Sequence, residues 1–377
     1  MKRLASGDAM GTQRYFSADY AEARDKFRAA CTLAGVPTKA YENPATGPGG
    51  ITLTIDLALF GPADAKNLLI LTSGVHGIEG LAGCGCQTAW IAGGHYRHIP
   101  QDAAVLVVHA VNCYGVAHVQ YTTDGNVDLN QNFLDFDRPL PENPAYEDIH
   151  EAMCCPELEG PLRDEANAFI AEYTAKKGEE TFLEALWRGQ HSHPDGLSFS
   201  GTEPTWSHLT TLEFLGEFAG AARQVCLLDT HTGVGAYGYG SIFTLAETGD
   251  PALEKARAWI GPALNTPLAQ VEGSSDSIPF FPLSQGYMQN GYIRALPHAE
   301  VTPIGLEFGS LNYERLMELW LANHWLTFHG DAESELGQKI KREIQAGFSP
   351  GSEDWTQMIW PRWKLVISQL LRGLGGK

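Results

Sequence analysis

Six short apolar runs narrow the architectures open to this chain. Residues 51–60, 67–72, 104–110, 225–229, 241–245 and 303–308 are too short and too rich in β-branched side chains to be helices. Several are apolar on both faces, as strands buried inside a parallel or mixed sheet are. Helical spacing fills the intervals: Ser17 is placed to cap a helix reaching about residue 33, where Gly35 and Pro37 stop it. Residues 79–91, 161–177, 206–222, 251–264 and the stretches after Asn312 share that periodicity. Strands alternating with helices predict an α/β sandwich with helices on both faces of one sheet. No linker, repeat or low-complexity tract divides the 377 residues, so a single domain over 1–377 is expected. Residues 134–223 hold seven prolines and no convincing strand, and read as a helical and loop excursion packed beside the sheet.

Charge and composition narrow the function. With 26 Lys and Arg against 45 Asp and Glu, the net charge of −19 repels a polyanionic backbone, which argues against nucleic-acid binding. No run reaches the ~18 apolar residues of a membrane helix, and the opening MKRLASGDAMGTQRYF places Lys2 and Arg3 at its start without an apolar stretch behind them. The expectation is a cytoplasmic protein with no membrane partner. Seven cysteines, an odd number without an export signal, read as thiols and not as a disulfide framework; Cys84-Gly-Cys86 and Cys154-Cys155 are too tightly spaced for the usual zinc pairs.

Three of the apolar runs close on polar residues able to bind a metal: Ser73-Gly74-Val75-His76-Gly77-Ile78-Glu79-Gly80, Asp229-Thr230-His231 and Leu306-Glu307-Phe308. Ligands in open α/β sheets bind where strands end, so groups ~80–150 residues apart in sequence can converge there. His76 and Glu79, three apart on a first helical turn, project from one face, and His231 is the natural third ligand of one zinc ion. Asp229, two residues before His231, lies on the same side of the strand and either braces that imidazole or caps the strand end. Glu307, a carboxylate inside an apolar strand, requires a partner or a task. General base in a metal-assisted hydrolysis is one reading; an ion pair with Arg294 is the other. Asn112 and Asn130 are short hydrogen-bonding side chains suited to orienting a carboxylate or carbonyl. His191-Ser-His193 and His95-x-x-His98 also present paired imidazoles, without a strand-end setting.

In order, Gly-Val-His76-Gly-Ile-Glu79-Gly, Asn112-x-x-Gly115, Val127-Asp-Leu-Asn130-x-Asn132-Phe133, Asp229-Thr-His231 and Leu306-Glu307-Phe308 resemble the zinc carboxypeptidase family, most of all its bacterial branch, over roughly residues 50–310. The resemblance implies a mixed, mostly parallel eight-stranded sheet between helices. It also implies one Zn2+ on His76, Glu79 and His231, Glu307 as the catalytic carboxylate, and a substrate contact at Asn130. The activity implied is hydrolysis of peptide or amide bonds, in a peptide or an acylated amino acid; a small-amide or N-acyl-amino-acid deacylase and a non-catalytic binder on the same fold are the alternatives. Two departures stand out. Gln131 occupies the place where the family carries a carboxylate-gripping arginine, and residues 116–129 contain no Arg or Lys to polarise a carbonyl. Arg138 or Arg294 is available to substitute from elsewhere. A mobile tyrosine is expected between His231 and Glu307, where Tyr287 and Tyr292 are both candidates.

Overall fold

The computed structural model describes residues 11–269 and 282–376; the amino-terminal half of the opening stretch discussed above lies outside them. The elements follow in chain order. Helix α1 (Tyr20–Ala34) leads to strands β1 (Thr38–Thr46), β2 (Thr52–Phe60) and β3 (Asn67–Ser73), then to helix α2 (Gly80–Ala92), strand β4 (Ala103–His109) and helix α3 (Cys113–His118). The excursion contributes α4 (Pro144–Glu147), α5 (His150–Met153), α6 (Pro161–Lys177), α7 (Glu179–Trp187) and α8 (Trp206–Phe218). The chain then returns to the sheet with β5 (Gln224–Gly233), β6 (Gly240–Phe243), α9 (Pro251–Ile260) and β7 (Leu264–Asn265). It finishes with α10 (Met288–Ala295), β8 (Glu300–Gly309), α11 (Tyr313–Phe328), α12 (Glu335–Phe348) and α13 (Glu353–Leu374).

The eight strands form one sheet in the order β1-β2-β4-β3-β5-β8-β6-β7. Its middle, β4-β3-β5-β8, is parallel; β1, β2 and β6 attach antiparallel, and β7 pairs parallel with β6 at the far edge. The expected mixed, mostly parallel eight-stranded sheet between helices is therefore the one present. Strand side chains divide between the faces with period two. Leu69, Leu71, Val105 and Val107 meet α2, α9 and α13 on one side, while Leu68, Ile70, Leu106 and Val108 meet α3, α8 and α10 on the other. Covered on both faces, the central strands are apolar throughout, which is why they stood out in the sequence.

Several boundaries differ from expectation for local reasons. Asp19, not Ser17, caps α1, accepting from the Glu22 amide at 2.8 Å. Helix α9 stops at Ile260 ahead of Gly261-Pro262, and Leu264 joins β7 instead. Strand β1 was invisible as a run because its burial alternates along an edge with polar side chains outward. Strand β5 extends to Gly233, so His231 lies inside it rather than beyond the expected end at residue 229. The excursion is helical, with only an isolated Gln190–Phe199 bridge among its described β pairings. All seven cysteines are free thiols, six of them buried. No helix among the described residues is long and apolar enough to cross a membrane.

Candidate active site

The sheet's own register assembles the site. Pairing of β5 with β8 sets His231 directly beside Glu307, and adjacent registered residues point to the same face. Asp229, two residues earlier, shares that face and lies opposite Thr72 of β3, whose hydroxyl donates to its Oδ1 at 2.6 Å. Immediately after β3 the chain must turn sharply to place two side chains over the same strand ends. Gly74 supplies the turn with φ +73°, and Gly77 passes so close to the Gly115 backbone that a Cβ there would lie 2.0 Å from its carbonyl carbon. Glu79 thereby arrives between the two histidines: its Oε1 is 3.0 Å from His76 Nδ1 and its Oε2 is 3.1 Å from His231 Nδ1.

All three residues are buried, at 8%, 6% and 7% exposure. The outer nitrogen of each ring is held by another carboxylate: His231 Nε2 lies 2.8 Å from Asp229 Oδ2, and His76 Nε2 lies 3.4 Å from Asp128 Oδ1. Tyr121 stacks on the His76 ring, centroids 4.1 Å apart, with its hydroxyl 2.9 Å from the same Nε2. The donor set fits a divalent cation. Carboxylates on the outer nitrogens favour protons there and leave both Nδ1 lone pairs aimed at Glu79, an arrangement that a cation between them satisfies and that otherwise demands two imidazolium ions.

The electrostatics without an ion show that demand. Burial opposes charge on His76, yet Glu79 and Asp128 overcome it and push the ring up to about 9. Burial likewise opposes the His231 imidazolium, and Asp229 with Glu79 drives its pKa well above the ordinary value. Burial also works against the Glu79 charge, but His76 and His231 bring its carboxyl down to about 2. Glu307 differs: burial, reinforced by the neighbouring Glu79 charge, raises it to about 8. Its Oε1 accepts one bond, from the Val234 amide at 3.0 Å, and the carboxyl opens onto a cleft.

Phe243, Leu245, Ile304, Tyr287, Trp187 and Trp320 give that cleft its apolar lining. Asn130, Gln131 and Tyr287 line it, and each is already engaged. Asn130 Oδ1 accepts the Met288 amide at 3.2 Å, Gln131 Nε2 donates to Trp187 O at 3.0 Å, and the Tyr287 hydroxyl donates to Pro282 O at 2.7 Å. Two expected contacts lie elsewhere. Asn112 is fully buried as the cap of α3, accepting the Gly115 amide at 2.9 Å and donating to Val75 O at 3.4 Å. Arg294 donates to the Phe133 carbonyl and is not among the described lining residues, so it neither pairs with Glu307 nor faces the cleft. Arg138 is exposed beside Asp135, and Tyr292 is buried against the sheet. His95 packs on Trp360, and His191 bonds the Gly201 carbonyl. No Lys or Arg lines the cleft among the described residues.

Asp128 and Tyr121 were not expected as partners of His76. Asp128 stood inside the quoted motif, two residues before Asn130, which was the only signal available; nothing in the sequence singles out Tyr121.

Sheet order and strand-end site together define the carboxypeptidase-like α/β fold. The chain belongs to the family described as "Protein of unknown function (DUF2817)", whose model matches residues 16–362. No curated protein matches the sequence. Among solved structures it is similar to thrombin activatable fibrinolysis inhibitor, at TM-score 0.51 and 10% identity over 99% of this chain and 78% of that one. Carboxypeptidase A of Helicoverpa armigera gives TM-score 0.46 and 12% identity over 93% and 78%. A succinylglutamate desuccinylase from Chromobacterium violaceum gives 0.33 and 14% over 87% and 74%.

Proposed function

We propose that this chain is a cytoplasmic metal-dependent hydrolase of amide bonds, taking a peptide or acylated amino acid whose group beside the scissile bond is uncharged. The observation that supports it most is the placement of Glu307 next to His231 by strand register, with its free oxygen toward the cleft and the His76–Glu79–His231 donor set alongside. His76, Glu79 and His231 would hold the ion, most readily zinc, since two imidazoles and a carboxylate suit it. When bound, such an ion supplies Lewis acidity at a carbonyl oxygen and lowers the pKa of water.

The chain's own residues do the rest. Glu307 accepts a proton as water oxygen bonds to the carbonyl carbon, then delivers it to the nitrogen as the C–N bond breaks. Asp229 and Asp128 fix the imidazole orientations, and the aromatic and aliphatic walls exclude water from the reacting bond. The cationless lining bears on substrate choice: Asp128, Asp229, Glu79 and Glu307 border a space without Lys or Arg among its described residues, so a free carboxylate would meet repulsion and no bidentate partner.

The test is a hydrolysis panel pairing each substrate with a free carboxylate against its amide or ester. Chelator-sensitive turnover favouring the neutral member by tenfold or more is expected. Preference for the free carboxylate refutes the substrate class, and silence across the panel with metal bound favours a binding protein.

A further inference from the structure

The helical excursion carries a second histidine–carboxylate cluster, and we propose that it binds one divalent transition-metal ion of the zinc type through His150, His193, Asp195 and Glu147. Glu147 ends α4, His150 begins α5, and the other two stand on the turn at 190–197. The two imidazoles lie face to face, centroids 3.7 Å apart and planes 21° apart, so binding one ion would turn a ring out of the stack until both lone pairs converge. His193 Nε2 is 2.7 Å from Glu147 Oε2, and His150 Nε2 is 4.0 Å from Asp195 Oδ1. One donor atom from each of His150, His193 and Asp195 lies within 4.8 Å of the other two. The carboxylate side chains are 50% and 67% exposed and the imidazoles 14% and 27%; Glu147 Oε1 accepts from the Ser192 hydroxyl at 2.6 Å, so an ion would take its other oxygen.

The scaffold around them is rigid. Gln190 accepts the Ser192 and His193 amides at 3.0 and 2.8 Å and donates to the His193 and Leu197 carbonyls at 2.8 and 3.2 Å. Asn126 donates to Pro194 O at 3.0 Å and Gly196 O at 2.8 Å, and the His324 ring bonds Asp195 O at 2.7 Å. At Gly196 a Cβ would lie 2.7 Å from the Tyr146 hydroxyl and 2.8 Å from Gln190 Nε2, so the turn has no room to relax. Two imidazoles with two carboxylates are a tetrahedral zinc donor set. An ion there would tie α4 and α5 to the turn that Asn126 fastens to the loop bearing Asp128, and so would brace a wall of the cleft.

The test counts zinc on the untagged full chain, stripped with chelator and dialysed against dilute Zn2+. Two ions per chain are expected, falling to one in His193→Ala, in His150→Ala and in His76→Ala. The exposed carboxylates guard against misfolding: Glu147→Gln and Asp195→Asn should each weaken one of two calorimetric binding events at least tenfold. A count and titration unchanged in all four excursion variants overturn the proposal. Failure of the cleft site reads differently, because His76→Ala would then leave the count unchanged while His193→Ala still lowered it.

Discussion

The described residues hold two clusters of imidazole and carboxylate able to bind an ion, and they differ in what supports them. His231 is placed by hydrogen-bonded register inside β5, and His76 and Glu79 by the glycine turn that follows the neighbouring parallel strand β3. His150, His193 and Asp195 come from a four-residue helix and a turn of the excursion, held by side-chain bonds to backbone carbonyls and amides. The first is buried under a cleft beside a free carboxylate; the second faces solvent with no general base behind it. Similar donor chemistry thus serves different ends: a sheet can hold reacting groups to fractions of an ångström, while a tied turn is suited to bracing a structure.

The sharpest way to break that contrast is to remove the residue that only the first cluster has. Glu307→Gln should lower turnover about 10²–10⁴-fold, the range for losing a positioned acid–base group, and leave metal content unchanged. His76→Ala should lose turnover together with one of the two ions. Metal analysis beside kinetics separates the two, and an active Glu307→Gln enzyme removes Glu307 from the reaction.

The outer carboxylates come next. Asp229→Asn and Asp128→Asn should each weaken metal binding about 10–100-fold, as loss of a carboxylate behind a ligating imidazole does. Asp229 should matter more, since its bond to His231 is 2.8 Å against 3.4 Å at His76, where Tyr121 supplies a further contact at 2.9 Å. Competition with a chromogenic chelator gives both constants, and the reverse order would mean that Tyr121 does not share the load.

These comparisons also mark what could be seen in the sequence. The central strands were legible because burial on both faces leaves an unbroken apolar signal. His76, Glu79, His231 and Glu307 were legible because each follows or interrupts such a run. Asp128 and Tyr121 were not, because they reach His76 from a loop whose path no periodicity encodes. Asn112 misled for a related reason: an asparagine before a glycine serves a cap as well as a substrate, and here it caps α3. Arg294 misled because a buried carboxylate suggests a cationic partner, whereas Glu307 takes a backbone amide. The excursion was legible as helix and loop, but the meeting of His150 with His193 depends on a turn closed by Gln190 and Gly196.

Two further histidines sharpen the contrast by the smallest expected effect. His109 on β4 and His208 on α8 are buried at 0% and 5% exposure, and neither ring has a carboxylate bonded to it. Asp56 stands opposite His109 but is committed to Arg24 at 2.7 Å. Burial therefore governs both and brings each ring down to about 4, the opposite of what carboxylates do to His76 and His231. The sign follows directly. Between pH 4 and about 6.5 the unfolded chain takes up a proton that the folded ring refuses, so stability is present above 6.5 and is lost as pH falls through that window. From pH 7 to pH 5 each ring should cost roughly 2 kcal/mol. Urea unfolding at the two pH values checks this: the loss on acidification should shrink by about that amount in His109→Phe, where the new ring meets Phe27, and again in His208→Phe, where it meets Phe133. Equal losses in variant and parent would show that the neutral rings are not what acid attacks first, and would shift the acid sensitivity to the ion pairs around Glu79.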